Sequence, residues 1–450
     1  MTECITATVD FTPLGRRQVV ADFLGGRLTS DAGALLLREV DRRSGLLDAM
    51  NEAIPDPRDP RYTIHDQRAM LAQRVISLAL GYEDLNDQQT MRTDPALQTV
   101  SGCSPETDRP LASPSTLCRL ENRIDRATLG KLSAVLVEQF LNSFQEPPRE
   151  ITLDFDATDD RVHGNQEKRF FHGYYQSYCF LPLYVFCGDQ LLCAYLRPSN
   201  IDGAKHSRAI TKLLVTAIRN RWPEVKITLR ADSGFCRWRL MRWCDKHDVS
   251  YILGVAGNKI LERRVAGLLE QAEQNFTATA GQKQRLFGET RYAAGTWDRE
   301  RRVLMKAERL PAGPNTRFVV TNLPGTPQSL YDDVYVQRGE MENRIKEQQL
   351  MLFADRTSCQ DFLANQFRLL LSSFAYVLVE TLRREHLAGT DLAQAQVDTI
   401  RLKLFKVAAR VVTSVRRVVL HLSSSYPGQD LFRRVVASLI DAPPVQPVPG

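Results

Sequence analysis

The chain has 450 residues, of which 43% are hydrophobic and 25% charged, so it has the composition of a soluble globular protein and the length of about two to four domains. Its first residues, Met1–Ile5, lack the basic region and apolar core of a secretory signal. The longest apolar stretch, Leu369–Val379, is interrupted by two serines and is shorter than a bilayer-spanning helix, so no membrane association is expected.

The cysteines and histidines exclude two further classes of protein. The nine cysteines are scattered without a Cys-x-x-Cys pair, and the seven histidines are equally dispersed. This pattern favours reduced thiols in a cytosol over a disulfide framework, and it shows no zinc ribbon.

Residues 1–145 are predicted to be mostly helical. Apolar residues follow helical spacing in 35–40, 70–80 and 117–124. Ser113–Thr116 is a typical helix start, with a capping hydroxyl and a proline at the first helical position. Arg119 and Arg123 project from that helix, which is either the DNA-contacting helix of a helix-turn-helix or an ordinary bundle helix.

After Pro147-Pro148 the pattern changes to that of an α/β region, predicted over 149–274. Its elements are expected in the order β-β-β-α-β-α-β, followed by one further helix. The predicted strands are 150–156, 178–187, 191–196, 225–231 and 250–255, and the predicted helices are 210–222, 237–247 and 259–273.

Residues 275–330 are predicted to form a β-rich insertion. Short strands are expected at 285–287, 291–297, 303–309 and 317–323, with turns at Gly288 and at Pro311–Gly313. Helical patterns then return at 331–353 and 360–384, so 331–390 is predicted to complete the α/β region.

The positive charge is concentrated near the C-terminus. The net charge is +6, and a basic region is predicted over 391–441, before a proline-rich tail at 442–450 that is predicted to be disordered. Between 401 and 440 a single acid, Asp430, stands against Arg401, Lys403, Lys406, Arg410, Arg416, Arg417, Arg433 and Arg434. Such a patch is either a nucleic-acid footprint or a solvated helix face.

Acidic residues end two of the predicted strands. Asp154 and Asp156 share one face of strand 150–156, and Asp232 follows strand 225–231, where open α/β sheets place ligand-binding groups. A carboxylate at such a position is costly unless it is paired or binds a cation. The alternatives are that one of the strand-end aspartates caps a loop and that Asp232 caps the next helix.

A third acid lies on a predicted helix. Tyr335, Arg338, Glu342, Lys346 and Gln349 follow one another at helical spacing and line one face. A solvated charged face accounts for the glutamate and the lysine but does not require the tyrosine and the arginine. Three carboxylates suffice to hold two Mg²⁺ ions about 4 Å apart, which would support phosphodiester chemistry.

Several segments together resemble the DDE transposases of bacterial insertion sequences. The chain is most similar to the insertion sequence 1380 family, within the wider insertion sequence 4 group, and the similarity covers essentially its whole length. The segments are Asp156–Thr158, Asp159-Asp160, His163–Glu167, His172–Tyr175, Leu196–Pro198, Leu229–Phe235 and Tyr335–Asn343.

The resemblance implies a ribonuclease-H-like catalytic core in which Asp156, Asp232 and Glu342 are the catalytic metal ligands for Mg²⁺, with Mn²⁺ as a substitute. Asp154 is the alternative first ligand. Tyr335 and Arg338 are implied to contact DNA at the cut end. The wider group has a lysine where this chain has Gln349, and Lys346, one turn earlier, is the candidate to supply that charge.

The resemblance also implies a function. The protein would bind the terminal inverted repeats of a transposon, cut its ends and join the 3′-hydroxyls to target DNA, as a homodimer on double-stranded DNA in the bacterial cytoplasm, at the nucleoid. The residues expected to bind DNA are Tyr335, Arg338, Lys346, Arg119, Arg123, Arg410, Arg416 and Arg417. A nuclease without strand transfer and an inactive transposase-derived DNA-binding protein are the two alternatives.

Overall fold

The computed structural model describes residues 8–106 and 109–441. These residues form two compact units, the first made of 8–51, 56–120 and 381–441 and the second of 52–55 and 121–380. The tail predicted to be disordered, 442–450, lies outside the described residues.

The N-terminal part contains strands as well as the predicted helices. Its elements are β1 (Val9–Leu14), β2 (Arg17–Ala21), β3 (Leu28–Thr29), α1 (Ala34–Ser44), α2 (Leu46–Ala53), α3 (Gln67–Leu80), α4 (Gln88–Met91), α5 (Pro95–Val100), α6 (Pro114–Asn122) and a 3₁₀ turn at Pro60–Tyr62. The helix predicted to start at Ser113–Thr116 is present as α6. The hairpin β1–β2 was not predicted, and it turns at Gly15, whose φ of 62° suits glycine.

The middle of the chain holds most of the strands. Its elements are α7 (Arg126–Asn142), β4 (Glu150–Ala157), β5 (Asp160–Arg161), β6 (Phe170–His172), β7 (Ser177–Phe180), β8 (Leu183–Cys187), β9 (Gln190–Tyr195), α8 (Ser207–Arg221), β10 (Lys226–Ala231), α9 (Trp238–Lys246), β11 (Val249–Val255), α10 (Lys259–Ala278), β12 (Gln284–Tyr292), β13 (Arg301–Leu310), β14 (Gly313–Thr321), α11 (Pro327–Ser329), α12 (Gly339–Lys346) and α13 (Phe362–Thr381). A 3₁₀ turn at Ser233–Phe235 follows β10.

A mixed eight-stranded sheet forms the centre of the second unit. Its strand order is β12-β13-β14-β11-β10-β4-β8-β9, and β4, β10 and β11 run parallel while the other neighbours are antiparallel. Apolar side chains from α7, α8, α9 and α10 pack with those of the sheet into one buried core. The architecture is therefore α/β, with a large sheet and many helices.

The predicted strand 178–187 is two strands in two different sheets. Pro182 lies between β7 and β8 and cannot donate to a strand ladder, so the chain changes direction there. β8 pairs with β4 in the central sheet, whereas β7 forms a small sheet of order β5-β7-β6.

The strands of 275–330 extend the central sheet through the pairing of β14 with β11. The turn predicted at Gly288 is wrong, because β12 runs unbroken through this residue. A Cβ at Gly288 would lie 2.8 Å from Leu268 Cδ1, so the missing side chain makes room for α10 against the sheet.

The helical stretch that carries Glu342 is irregular. α12 is preceded by a π-helical segment, Leu330–Tyr335, and a 3₁₀ turn, Val336–Arg338, and it is followed by a second π-helical segment, Glu347–Met351. π-Helical insertions are rare and occur frequently at functional sites.

Among the described residues, one helical stretch, Phe362–His386, is long and apolar enough to cross a membrane by length and composition. Its most apolar window is 89% buried within the protein, as expected for the core helix of a globular fold.

The end of the chain completes the first unit. Its elements are a π-helical segment at Leu382–His386, α14 (Val397–Ile400), a second such segment at Arg401–Phe405, β15 (Ala409–Ser414), β16 (Arg417–Leu422) and α15 (Gln429–Asp441). β15 pairs with both β16 and β3, so the two ends of the described chain share one sheet.

A buried ion pair links the central strands to the helical stretch of Glu342. The Arg230 guanidinium donates to both carboxylate oxygens of Asp154, with N–O distances of 2.5 and 2.7 Å, and its Nη1 donates to the Val334 carbonyl oxygen at 2.5 Å. Both side chains are nearly inaccessible to solvent. Three segments distant in sequence thus meet at one guanidinium.

We expect Arg230→Met to lower the free energy of unfolding by about 3–5 kcal/mol, because it leaves the Asp154 carboxylate buried without its cation. The double variant Arg230→Met/Asp154→Leu should recover most of the loss, since it removes the charge as well. Arg242→Met, at an exposed position on α9, is the control for losing an arginine. Chemical denaturation measures all three, and equal stability of Arg230→Met and Arg242→Met would contradict the role of the pair.

Candidate active site

Asp156 and Asp232 lie at the ends of two adjacent parallel strands. β4 and β10 pair with Arg230 opposite Asp154 and Ala231 opposite Phe155, so the next position places Asp232 opposite Asp156. Neighbouring strands are about 4.8 Å apart, and side chains two residues apart share a face. The two carboxylates therefore lie side by side, on the same face as the Asp154–Arg230 ion pair.

The Asp156 carboxylate is held in an unfavourable environment. Burial, followed by the negative charge of Asp232, raises its pKa from 3.8 to about 6, and Glu342 adds a smaller repulsion. The Arg338 guanidinium opposes this effect, with its Nη1 3.7 Å from Asp156 Oδ2. The Ala157 amide also donates to Asp156 Oδ1.

Asp232 has a structural contact in addition to its position beside Asp156. Its Oδ1 accepts a hydrogen bond at 2.9 Å from the Gly234 amide and caps the short 3₁₀ turn that follows β10. The predicted capping role and a place beside Asp156 are thus combined in one side chain.

Asp154 is committed to Arg230 and is nearly inaccessible to solvent. Burial raises its pKa, and the hydrogen bonds and positive charge of Arg230 oppose that rise. Of the two aspartates on β4, Asp156 is the one that faces Asp232 and Glu342. The geometry therefore favours Asp156 as the first acid.

Glu342 is on α12 and is mostly exposed, with 66% of its side chain accessible. Lys346 Nζ donates to its Oε1 at 2.8 Å, and this ammonium lowers the pKa of Glu342. Glu342 and Lys346 are neighbours on α12, as their spacing predicts, and the glutamate pairs with this lysine one turn later.

Tyr335 and Arg338 lie beside the acids. Burial raises the pKa of the Tyr335 hydroxyl, and the nearby positive charge of Arg338 opposes that rise. Arg338 lies near Tyr335 and forms an ion pair with Asp156, so the helical stretch reaches the strand ends through these two side chains.

Sequence reasoning missed two residues at this site. A Cβ on Gly254 of β11 would lie 2.7 Å from the Tyr335 hydroxyl and 2.8 Å from the Ser233 amide nitrogen, so only glycine lets these groups approach. Tyr175 is close enough to the acids that burial, followed by the charges of Asp159 and Asp156, raises its pKa to about 12. No pattern in the sequence indicated the Gly254 contact. Tyr175, in contrast, belongs to His172–Tyr175, one of the segments that resemble the DDE transposases.

The residues present fit a divalent cation in part. Two adjacent carboxylates, one with a raised pKa, supply the oxygen ligands that Mg²⁺ prefers, and a cation between them would remove their repulsion. In the part of the chain that the structure describes, however, no group of three His, Cys, Asp or Glu side chains is arranged to hold a metal ion. Glu342 does not complete the site in this conformation because it is turned to Lys346.

The other predicted DNA-binding residues are in several places. Arg119 is exposed on α6, and Arg123 is half-buried just after that helix. Arg410, Arg416 and Arg417 are exposed on the β15–β16 hairpin.

Two residues of the basic region have contacts inside the first unit. Lys406 Nζ is 2.6 Å from Asp31 Oδ1, and Arg401 Nε donates to the Ala79 carbonyl oxygen at 2.8 Å. The solvent-facing positive patch is therefore smaller than the sequence count suggests.

One known family matches nearly the whole chain. The model of the family described as "Transposase DDE domain group 1" matches residues 11–444. A solved structure of the piggyBac transposase synaptic complex with hairpin DNA aligns with a TM-score of 0.43 at 11% identity, over 84% of this chain and 80% of that chain. No curated protein matches the sequence.

A fold with paired carboxylates at the ends of adjacent strands, and a third acid on a nearby helix, defines a candidate phosphodiester-processing site. The family match spans nearly the whole chain, and the protein belongs to the DDE transposase domain family, group 1.

We expect Gly254→Ala to destabilise the protein by about 1–3 kcal/mol, because the new methyl group meets the Tyr335 hydroxyl and the Ser233 backbone. Gly257→Ala is the matched control, since its Cβ would make ordinary contacts, the nearest at 3.7 Å from Phe318. Adding Tyr335→Phe should restore only part of the loss, because the backbone clash persists. Thermal unfolding measures these differences, and equal melting temperatures for the two alanine variants would contradict the packing.

Asp156→Asn should stabilise the metal-free protein above pH 6. Because folding raises the Asp156 pKa from 3.8 to about 6, the folded wild type loses stability as pH rises through that window, whereas the asparagine variant lacks this titration. We expect a difference of about 1–3 kcal/mol above pH 6 and a smaller one near pH 4. The effect is measured as the free energy of unfolding of both metal-free proteins between about pH 4 and pH 7. A constant difference between the two proteins over this pH range would contradict the prediction.

Proposed function

We propose that this protein is a DNA transposase that cuts DNA at the terminal inverted repeats of a transposon and joins the freed 3′-hydroxyls to target DNA. The observation that carries the proposal is the placement of Asp156 beside Asp232, with Arg338 and Tyr335 brought to them by the helical stretch of Glu342. The family match over residues 11–444 supports the same class of activity.

We propose a ribonuclease-H-like core in the second unit. The antiparallel run β4-β8-β9 and the parallel strands β10 and β11 on the other side of β4 support it, because this order places the first acid on the central strand and the second on its neighbour. Within the insertion sequences, the chain is proposed to belong to the 1380 family.

Asp156, Asp232 and Glu342 would hold Mg²⁺, or Mn²⁺ in its place, and the bound ions would activate the attacking hydroxyl and stabilise the leaving oxygen. The protein's own groups act around them. Asp156 and Asp232 supply a preformed pair of carboxylates, and Glu342 joins them after releasing Lys346. Arg338 can exchange its 3.7 Å contact with Asp156 for a phosphate oxygen.

DNA binding would use surfaces of both units. In the first unit, Arg119 and the hairpin residues Arg410, Arg416 and Arg417 are exposed cations suited to phosphate contacts. In the second unit, Lys346 would bind the backbone of the cut end once it is released from Glu342, and Arg123 is a further candidate. We propose a homodimer on DNA, because two transposon ends have to be held together, and a bacterial cytoplasmic location at the nucleoid.

The proposal is tested with purified protein, DNA carrying the transposon ends, a target plasmid and Mg²⁺ or Mn²⁺. Asp232→Asn and Glu342→Gln should each lower end cleavage more than about 100-fold while leaving DNA binding intact, since the loss of groups that only support a metal ligand already costs about 10–100-fold. Gels that resolve cut ends and joined products measure the reaction.

Matched controls are available for both variants. Glu340→Gln changes an exposed acid on the same helix, and Asp248→Asn changes an exposed acid whose φ of 50° asparagine tolerates. Cleavage by either active-site variant at the control rate would refute the assignment. Cleavage without joined products would identify a nuclease, and end binding without cleavage would identify an inactive derivative.

A further inference from the structure

Gln349 is held by two hydrogen bonds at the end of the Glu342 helical stretch. Its Nε2 donates to the Asp159 carbonyl oxygen at 3.1 Å and to Asp160 Oδ1 at 2.6 Å. The Asp160 side chain is fully buried on β5, so this hydrogen bond is shielded from water. The wider insertion sequence 4 group has a positively charged lysine at this position, whereas Gln349 is neutral and is bound to the protein itself.

The acceptors of these hydrogen bonds lie directly after the first acid. Only three residues separate Asp156 from Asp160, and the connection is itself fixed, because the Thr158 amide donates to the Pro182 carbonyl oxygen at 3.3 Å. Gln349 thus joins the helical stretch to the segment that leaves the Asp156 strand end.

Gln349 lies in the π-helical segment that directly follows the α-helix of Glu342. Gln349 and Glu342 are seven residues apart, about two helical turns, and Arg338 precedes Glu342 by one further turn. Arg338 contacts Asp156 at 3.7 Å, and Gln349 contacts Asp160. The two contacts that bracket Glu342 therefore both reach the chain segment of the first acid.

The two residues preceding Gln349 are fixed by other partners. Gln348 Nε2 donates to Ser373 Oγ of α13 at 2.7 Å, and Glu347 accepts from Arg344 Nη1 at 2.6 Å. The Gln348 contact holds the helix against α13 rather than against the segment of the first acid. Gln348 is therefore a suitable comparison for Gln349.

We propose that Gln349 is a positioning residue that fixes the rotation of the helical stretch and so presents Glu342 to Asp156 and Asp232. The inference rests on the proposed function. Burial, together with the negative charges of Asp355 and Asp159, raises the pKa of Asp160 well above its usual range, which suits an amide partner better than an ammonium. Asp160 Oδ2 accepts no hydrogen bond from the described residues, so the neutral Gln349 amide is the donor to this carboxyl group.

The test compares Gln349→Met, which keeps the side-chain length and removes the donor, with Gln348→Met as the matched control. Gln349→Met should lower kcat for end cleavage by about 10–100-fold with an unchanged KM for DNA, because positioning groups around metal ligands have effects of this size. Gln348→Met should lower the melting temperature at least as much while keeping kcat within about threefold of wild type.

The partner residue gives a second comparison. Asp160→Asn keeps the accepting oxygen and should keep wild-type kcat, whereas Asp160→Ala should match Gln349→Met. The double variant Asp160→Ala/Gln349→Met should be no slower than either single variant, as expected for two residues that act through one contact.

Hydrogen exchange of metal-free protein supplies a readout that needs no activity. Amides of 339–346 should exchange at least about fivefold faster in Gln349→Met than in Gln348→Met if the contact fixes this segment. Equal kcat in Gln349→Met and wild type, or equal exchange in the two methionine variants, would overturn the proposal. Failure of the wild type to cleave DNA would refute the proposed function instead, and the exchange comparison would then decide the role of Gln349 alone.

Discussion

The buried ion pair between Arg230 and Asp154 is the interaction on which the site depends. It bridges two adjacent parallel strands one side-chain repeat before Asp156 and Asp232, and it binds the backbone of the helical stretch at Val334. Because a charged group in this environment is tolerated only with its partner, the strand register and the helix position are fixed together. The positions of Asp156 and Asp232 thus depend on an ion pair that lies one side-chain repeat before them on the same two strands.

The adjacent carboxylates of Asp156 and Asp232 are electrostatically unfavourable in the folded protein. Burial, followed by the negative charge of Asp232, raises the Asp156 pKa to about 6, so the form of the site with both carboxylates ionised, which would bind a cation, is the least stable one. Arg338 offsets part of this cost from the helix side. Unfavourable charge of this kind is common at functional sites, and a cation bound between the two carboxylates would stabilise the folded protein.

Local patterns in the sequence predicted most of the strands and helices of the second unit, because the spacing of apolar residues and the positions of turn-forming residues can be read from neighbouring residues alone. They did not predict the division at Pro182 between two sheets, which depends on which strands pair. They also could not distinguish Asp154 from Asp156, since both share one face, and the ion pair that occupies Asp154 is made with Arg230, 76 residues away. The helical spacing placed Gln349 on the face of Glu342, but its partner Asp160 follows only from the tertiary fold.

The position of Glu342 follows from how its helical stretch is held at both ends. Arg230 binds the carbonyl of Val334 before it, and Gln349 binds Asp160 after it, so sliding of the helix would break buried hydrogen bonds. Turning the Glu342 side chain breaks only its exposed pair with Lys346, and exposed pairs of this spacing contribute about 0.3–0.5 kcal/mol. Turning this one side chain would therefore cost less than sliding the helix, and it would release Lys346 from its pair with Glu342.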